Sequence, residues 1–140
     1  MERSSEQLTQ RFIEALGQLE QDGRVDDLVT LYRDDAAVGN VLEDRPLQGR
    51  DGAKSFWTMY RRTFKTVNST FRNVLVGDGS AALEWTCKGS FREGQPVTYG
   101  GVTILEFQDG AIARSWAYFD AASVGAQLRN REIVPFDPGA

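Results

Sequence analysis

The sequence predicts an α+β domain in which three N-terminal helices pack against a curved antiparallel sheet. Three observations carry the prediction. Apolar residues recur at helical spacing through the first half of the chain and at a spacing of two from Thr70 onward. Gly-Asp-Gly, Glu-Gly and Asp-Gly steps punctuate the second half at intervals suited to hairpins. At 140 residues with 41% hydrophobic side chains, the chain has the size and apolar content of one domain with one core.

Each element follows in order. Ser4 or Ser5 caps a first helix, with Glu6 and Gln7 in its first turn and Leu8, Phe12, Ala15, Leu16 and Leu19 on its apolar face. Gly23 supplies the stop. Asp26 and Asp27 open a shorter helix whose apolar face is Val25, Leu28, Leu31 and Tyr32, closed by Arg33, Asp34 and Asp35. Residues 36–41 read as a short strand, and EDRPLQGRDG as a loop into a third helix with Ala53, Phe56, Trp57, Tyr60 and Phe64 on one side. Segments 70–76, 80–92, 96–107 and 111–119 then form a four-stranded antiparallel meander. In the second of these strands Ala81, Leu83, Trp85, Cys87 and Phe91 make the buried face. The last strand is bulky or apolar on both sides, which fits helices covering one face and a second subunit covering the other.

Composition excludes several function classes. The net charge is −4 and the basic residues are scattered, so the positive stripe of a nucleic-acid binder is missing. One cysteine rules out an internal disulfide framework, and with no histidine few ligands remain for a transition metal. The same absence removes the commonest general base near neutral pH, leaving carboxylates, Tyr, Lys or ordered water for proton transfer. No cofactor and no metal are expected. MERSSEQLTQRF lacks the apolar core of a signal peptide, and no apolar run approaches bilayer-spanning length, so a cytoplasmic protein with no membrane partner is expected.

The candidate site residues come with two readings each. Asp120 follows the last strand and precedes ASVGAQL, where it either caps a new helix or, desolvated beside Trp116, Tyr118 and Phe119, acts as a base. Asn40, after Gly39, either forms a turn or holds a water or ligand carbonyl at a cavity mouth. Trp57, Tyr60, Trp85 and Tyr99 either fill the core or line a pocket for a flat apolar molecule. Cys87 reads as a small hydrophobe, since no histidine stands by to activate its thiol. Gly100 and Gly101 mark a bulge or a close approach.

With LVTLYRDDAAV, LQGRDGAKSFW and SWAYFDAASVGAQL in this order, the chain resembles the nuclear transport factor 2-like superfamily, in particular its SnoaL-like branch, from about Ser5 to Leu128. The resemblance implies a cone-shaped, cystatin-like fold, a single domain over residues 1–128 with a C-terminal tail at 129–140, and a homodimer packed through the outer face of the sheet. It also supplies three templates. Against ketosteroid isomerases, Phe12, Asn40 and Thr103 stand at the positions of the Tyr, the base and the acid. Against limonene-epoxide-hydrolase-like enzymes, Trp85, Cys87, Ala117, Val38 and Asn40 stand at the Asp-Arg-Asp, Tyr and Asn positions. Against SnoaL-like cyclases, Trp116, Asp120, Gln127 and Leu128 keep the spacing of the motif that carries a carboxylate base. The expected function is binding of a small, mostly apolar molecule, with cofactor-free proton transfer by Asp120 and Asn40 as the enzymatic form. The alternative is a non-catalytic association or ligand-sequestering module. Phe12, Trp57, Tyr60, Trp85, Cys87, Tyr99 and Thr103 are the expected ligand-binding residues.

Overall fold

The computed structural model describes residues 3–130. Helix α1 (Ser5–Asp22) begins at a capping box in which the Ser4 hydroxyl accepts from the Gln7 amide and the Gln7 side chain accepts from the Ser4 amide. It stops at Gly23, whose left-handed backbone sends its amide back to the Leu19 carbonyl. Leu8, Phe12, Ala15, Leu16 and Leu19 are all buried, as their spacing requires.

Helix α2 is a single turn (Asp26–Val29), and the residues expected to close it lie instead in strand β1 (Tyr32–Asn40). The cause is tertiary. The Leu31 carbonyl accepts from the Ile112 amide at 2.8 Å, Tyr32 pairs with Ile112, and Arg33 bridges Asp35 and Asp109. Ladder bonds to a distant strand override a local helical pattern.

The loop expected after β1 contains a two-residue strand, β2 (Leu47–Gln48), antiparallel to β1. Gly49 follows at φ 72°, so close to β1 that a Cβ would lie 2.7 Å from the Asp34 carbonyl oxygen. Arg50 donates to the Tyr32 carbonyl at 2.9 Å and to the Asp34 carboxylate at 2.7 Å. The Gly-Arg pair therefore fastens helix α3 (Gly49–Thr63) to β1.

Phe64 does not sit on α3; it opens strand β3 (Phe64–Val76), which starts well before the expected Thr70. Its ring stacks on Phe91 at 5.7 Å, and Val67 is buried while Lys65 and Thr66 face out. A β-bulge between Phe64 and Thr66 accounts for the two successive outward residues, and regular alternation runs from Val67. Strands β4 (Ser80–Phe91), β5 (Pro96–Gln108) and β6 (Ala111–Phe119) complete the antiparallel meander. Asp109 and Gly110 both have positive φ, as a primed hairpin turn demands.

The sheet has six strands in the order β2-β1-β6-β5-β4-β3, with β1 parallel to β6. It is curved, and α1 and α3 pack on its inner face to give the α+β architecture expected. Helix α4 (Ala121–Asn130) returns along β5. Apart from the last residues of this helix, the expected tail lies outside the described residues. Among those residues, no helix is long and apolar enough to cross a membrane.

Candidate functional site

The buried apolar residues form two clusters. One gathers α1, α3 and the sheet around Phe12 and Leu83, and the other lies around Trp85, Phe91 and Val97. Tyr60 and Phe71 pack against both. Where the clusters meet, two cavities share the walls Asn40, Phe56, Tyr60, Tyr99 and Phe119. The inner one, of about 50 Å³, reaches Trp57, Ser69, Trp85, Thr103 and Ala117. The outer one, of about 170 Å³, opens past Leu42, Glu43, Met59 and Val124.

Local sequence explains how each wall is built. Trp57 and Tyr60 project from one face of α3, their rings 5.3 Å apart edge to face. The Trp57 indole donates at 3.0 Å to the Tyr32 hydroxyl, which lies 2.8 Å from the Ser115 hydroxyl. Trp85 stands opposite Gly101 across β4 and β5, and a Cβ at Gly101 would meet its ring at 2.7 Å. The expected close approach of backbone at the paired glycines is the Tyr118 carbonyl oxygen, 2.5 Å from a Cβ at Gly101, and the Trp85 indole crowds the same position. It donates to Thr103 Oγ1 at 2.9 Å, while Tyr99 and Phe119 pack on it at 5.3 and 6.3 Å.

Six of the nine residues expected at the site line this cleft: Asn40, Trp57, Tyr60, Trp85, Tyr99 and Thr103. Phe12 packs beneath Trp57 with its centroid 6.0 Å away and does not line the cleft. Cys87 is 1% exposed and does not line the cleft; its thiol packs in the cluster around Trp85 and Phe91. Asn40 forms the expected turn, its Oδ1 accepting from the Leu42 amide at 2.9 Å, and the residue lines both cavities.

Asp120 is exposed and caps α4, one oxygen accepting from the amides of Ala122 at 3.0 Å and Ser123 at 3.2 Å. It is not among the cleft residues. Gln127 clamps the same helix to β5, its side chain accepting from the Thr98 amide at 2.8 Å and donating to the Thr98 carbonyl at 2.9 Å. Both polar residues of the closing motif thus hold α4, which carries Val124 to the cavity mouth.

The residue that sequence reasoning missed is Glu20. It is 4% exposed, and its carboxylate accepts from the Tyr60 hydroxyl at 2.7 Å, the Ser69 amide at 2.8 Å and the Ser69 hydroxyl at 2.6 Å. A signal was present, because Leu8, Phe12, Leu16 and Glu20 form one row four residues apart on the buried side of α1. Its charge acts on the cleft. Burial first, then Glu20, pushes the Tyr60 phenol well above the usual range. Burial first, then Glu20, also raises the Cys87 thiol. Tyr99 is raised by burial, then by Cys87 and Glu20. The Tyr60 and Tyr99 hydroxyls on the cleft wall, and the Cys87 thiol behind it, therefore stay neutral at ordinary pH.

A family profile described as SnoaL-like domain matches residues 9–115 of the chain. The chain belongs to this family. The matched span of the SnoaL-like domain holds every cleft residue named above except Ala117, Phe119 and Val124, and it ends before Asp120 and Gln127. No curated protein matches the sequence. Solved structures resemble the SnoaL-like domain in fold. An NTF2-like protein from Anabaena variabilis superposes with a TM-score of 0.77 at 16% identity, covering 86% of this chain and 92% of that one. A protein from Jannaschia sp. assigned as a SnoaL-like polyketide cyclase gives 0.73 at 17%, covering 86% and 93%. A protein of ketosteroid isomerase-like fold from Catenulispora acidiphila, in complex with trimethylamine, gives 0.73 at 17%, covering 83% and 90%.

Proposed function

We propose that this SnoaL-like domain binds a small, mostly apolar molecule in the cleft between α3 and the sheet. The carrying observation is the continuity of the two cavities, walled by aromatic rings with a few convergent polar groups at Asn40, Tyr99 and Thr103. The Catenulispora relative, solved with a small amine, is consistent with such use of the fold. Ligand-observed NMR with neutral aromatic fragments such as naphthalene and benzyl alcohol tests the proposal. Binding of these fragments or of their ammonium analogue benzylammonium to the wild type, lost in Ala117→Phe, which fills the inner cavity, is the expected result; no binding by any of them, or binding indifferent to that change, overturns it.

A non-catalytic, ligand-holding role is favoured over catalysis by Asp120, because that carboxylate is exposed and engaged by two helix amides. Homodimerisation through the outer face of the sheet belongs to the same reading. Ala82, Ile104 and Trp116 are register neighbours there and Leu75 pairs with Ala82; Leu75 is 68% exposed and Tyr118 47%. Sedimentation equilibrium should give a dimer that Ile104→Asp converts to monomer, and a wild-type monomer at micromolar concentration excludes it.

A further inference from the structure

Glu20 is a buried carboxylate without a counter-ion. It forms no ion pair with any Lys or Arg among the described residues. Arg61, on the neighbouring helix, directs one guanidinium nitrogen to the Phe64 carbonyl at 3.0 Å. Three hydrogen bonds satisfy the Glu20 oxygens but do not cancel their charge, and a desolvated unpaired charge is costly. Two of its three donor groups, the Tyr60 and Ser69 hydroxyls, belong to residues of the inner cavity wall. The charge therefore sits one hydrogen bond behind that wall.

The rest of the cleft has the same sign. Glu43 lines the outer cavity, and neither cavity has a Lys or Arg on its wall. Tyr60, Tyr99 and Phe119 line both cavities and Trp85 the inner one, and aromatic ring faces attract cations. Tyr60, Cys87 and Tyr99 all hold their protons more tightly than usual, with Glu20 among the causes in each case. Burial, the larger cause, disfavours any bound ion, but the Glu20 contribution is signed: it disfavours a bound anion and favours a bound cation.

We propose that the cleft selects a small organic cation, an ammonium group carrying an apolar or aryl tail, over neutral and anionic molecules of the same shape. The proposal rests on the small-molecule reading above and adds the charge of the ligand. The ammonium would occupy the inner cavity, against the Tyr60 and Ser69 oxygens that already face Glu20, and the tail would fill the outer one. A cation there supplies the counter-charge Glu20 lacks, whereas a carboxylate or enolate would meet a like charge across a low-dielectric gap.

The experiment compares benzylammonium, benzyl alcohol and benzoate at neutral pH by calorimetry or ligand-observed NMR, with wild type, Glu20→Gln and Glu43→Gln. Benzylammonium should bind roughly tenfold or more tightly than benzyl alcohol, with benzoate weakest. Glu20→Gln, which keeps an oxygen for the Ser69 amide, should cut the cation preference about tenfold and change benzyl alcohol affinity little. Glu43→Gln, at the open mouth and outside the core, should cut the preference by a smaller factor and provides a second reading should Glu20→Gln unfold. Equal or tighter binding of benzyl alcohol or benzoate by the wild type overturns the charge inference and leaves the small-molecule reading standing. Failure of all three probes to bind overturns both.

Discussion

Replacing Tyr32 by Phe removes one oxygen and strands two partners. The hydroxyl lies 2.8 Å from Ser115 Oγ and accepts from Trp57 Nε1 at 3.0 Å, on a side chain that is 0% exposed. A buried hydrogen bond contributes ~1 kcal/mol net, and a buried donor left unpaired costs ~1–3 kcal/mol. Ser115 can rotate its hydroxyl, but the Trp57 N–H is fixed in its ring, so the larger figure belongs to Trp57. The expected loss is about 2–4 kcal/mol. At roughly 3–5 °C per kcal/mol for a domain of this size, Tm should fall by about 6–20 °C. Urea titrations with an unchanged m-value give the free energy directly. A loss below about 0.5 kcal/mol would refute the assignment of this oxygen as the shared partner.

The same variant carries a pH signature. Burial pushes the Tyr32 phenol up to about 12, against the opposing hydrogen bonds with Ser115 and Trp57. An unfolded tyrosine titrates near ~10. The raised value means that the folded state holds this proton more tightly, so its stabilisation is complete below pH ~10 and drains as pH rises toward ~12. Tyr32→Phe lacks the group, so the gap between wild type and variant should narrow by about 1 kcal/mol between pH ~10 and ~11. A gap that stays constant over this interval would mean that the phenol ionises alike in both states.

Three further outcomes follow from named contacts. Asp120→Ala should cost ~1 kcal/mol by uncapping α4, whereas Asp120→Asn keeps an acceptor and should change stability by only a few tenths, both read from urea midpoints; a proton transfer abolished by Asp120→Asn in a stably folded variant would return that residue to catalysis. Gly101→Val should drive the Trp85 indole off β5, since even a Cβ meets it at 2.7 Å and the Tyr118 carbonyl at 2.5 Å, and should lower stability by ~1–3 kcal/mol and abolish fragment binding; retained binding in a folded variant would show that the indole does not build the cavity. The Cys87 thiol, buried and raised by desolvation and then by Glu20, should react with a disulfide reagent at neutral pH at least ~10-fold more slowly than glutathione, and a fast reaction would contradict both its burial and its raised value.

The sequence conveyed elements whose signals are local and withheld those set by distant partners. The Ser4 capping box, the Gly23 stop, the Asp109-Gly110 turn and the alternation of β4 are each decided within a few residues, and all were legible. Tyr32 to Asp35 read as helix because their strand partner, β6, lies at the far end of the chain. Phe64 was ambiguous for another reason: it continues the helical row of α3, and the β-bulge between Phe64 and Thr66 hides the strand period that starts at Val67. At the site, aromatic spacing identified Trp57, Tyr60, Trp85 and Tyr99, since ring burial is a pattern. Glu20 escaped because a single carboxylate on an apolar row is meaningful only once Ser69 and Tyr60 are seen to meet it. Asp120 carried two readings in the sequence because a helix cap and a base require the same residue at the same place; its exposure and its two amide donors are properties of the folded chain.

The parallel seam between β1 and β6 governs how the chain is born. Ala37 to Asn40 find their partners at Arg114 to Ala117, so an early strand waits for a segment that leaves the ribosome well after it. Until then the edge of β1 is open and α3, fastened to β1 through Arg50, has no completed sheet beneath it. The antiparallel strands β3 to β5 can zip as they emerge, because each pairs with its neighbour in sequence. Synthesis thus delivers β3 to β5 before β6, which inserts between β5 and β1 and adds Ala117 and Phe119 to the cavity wall. A nascent chain released before Phe119 would expose the β1 edge and the unfinished cavity wall together, the pairing most apt to recruit a chaperone or to aggregate.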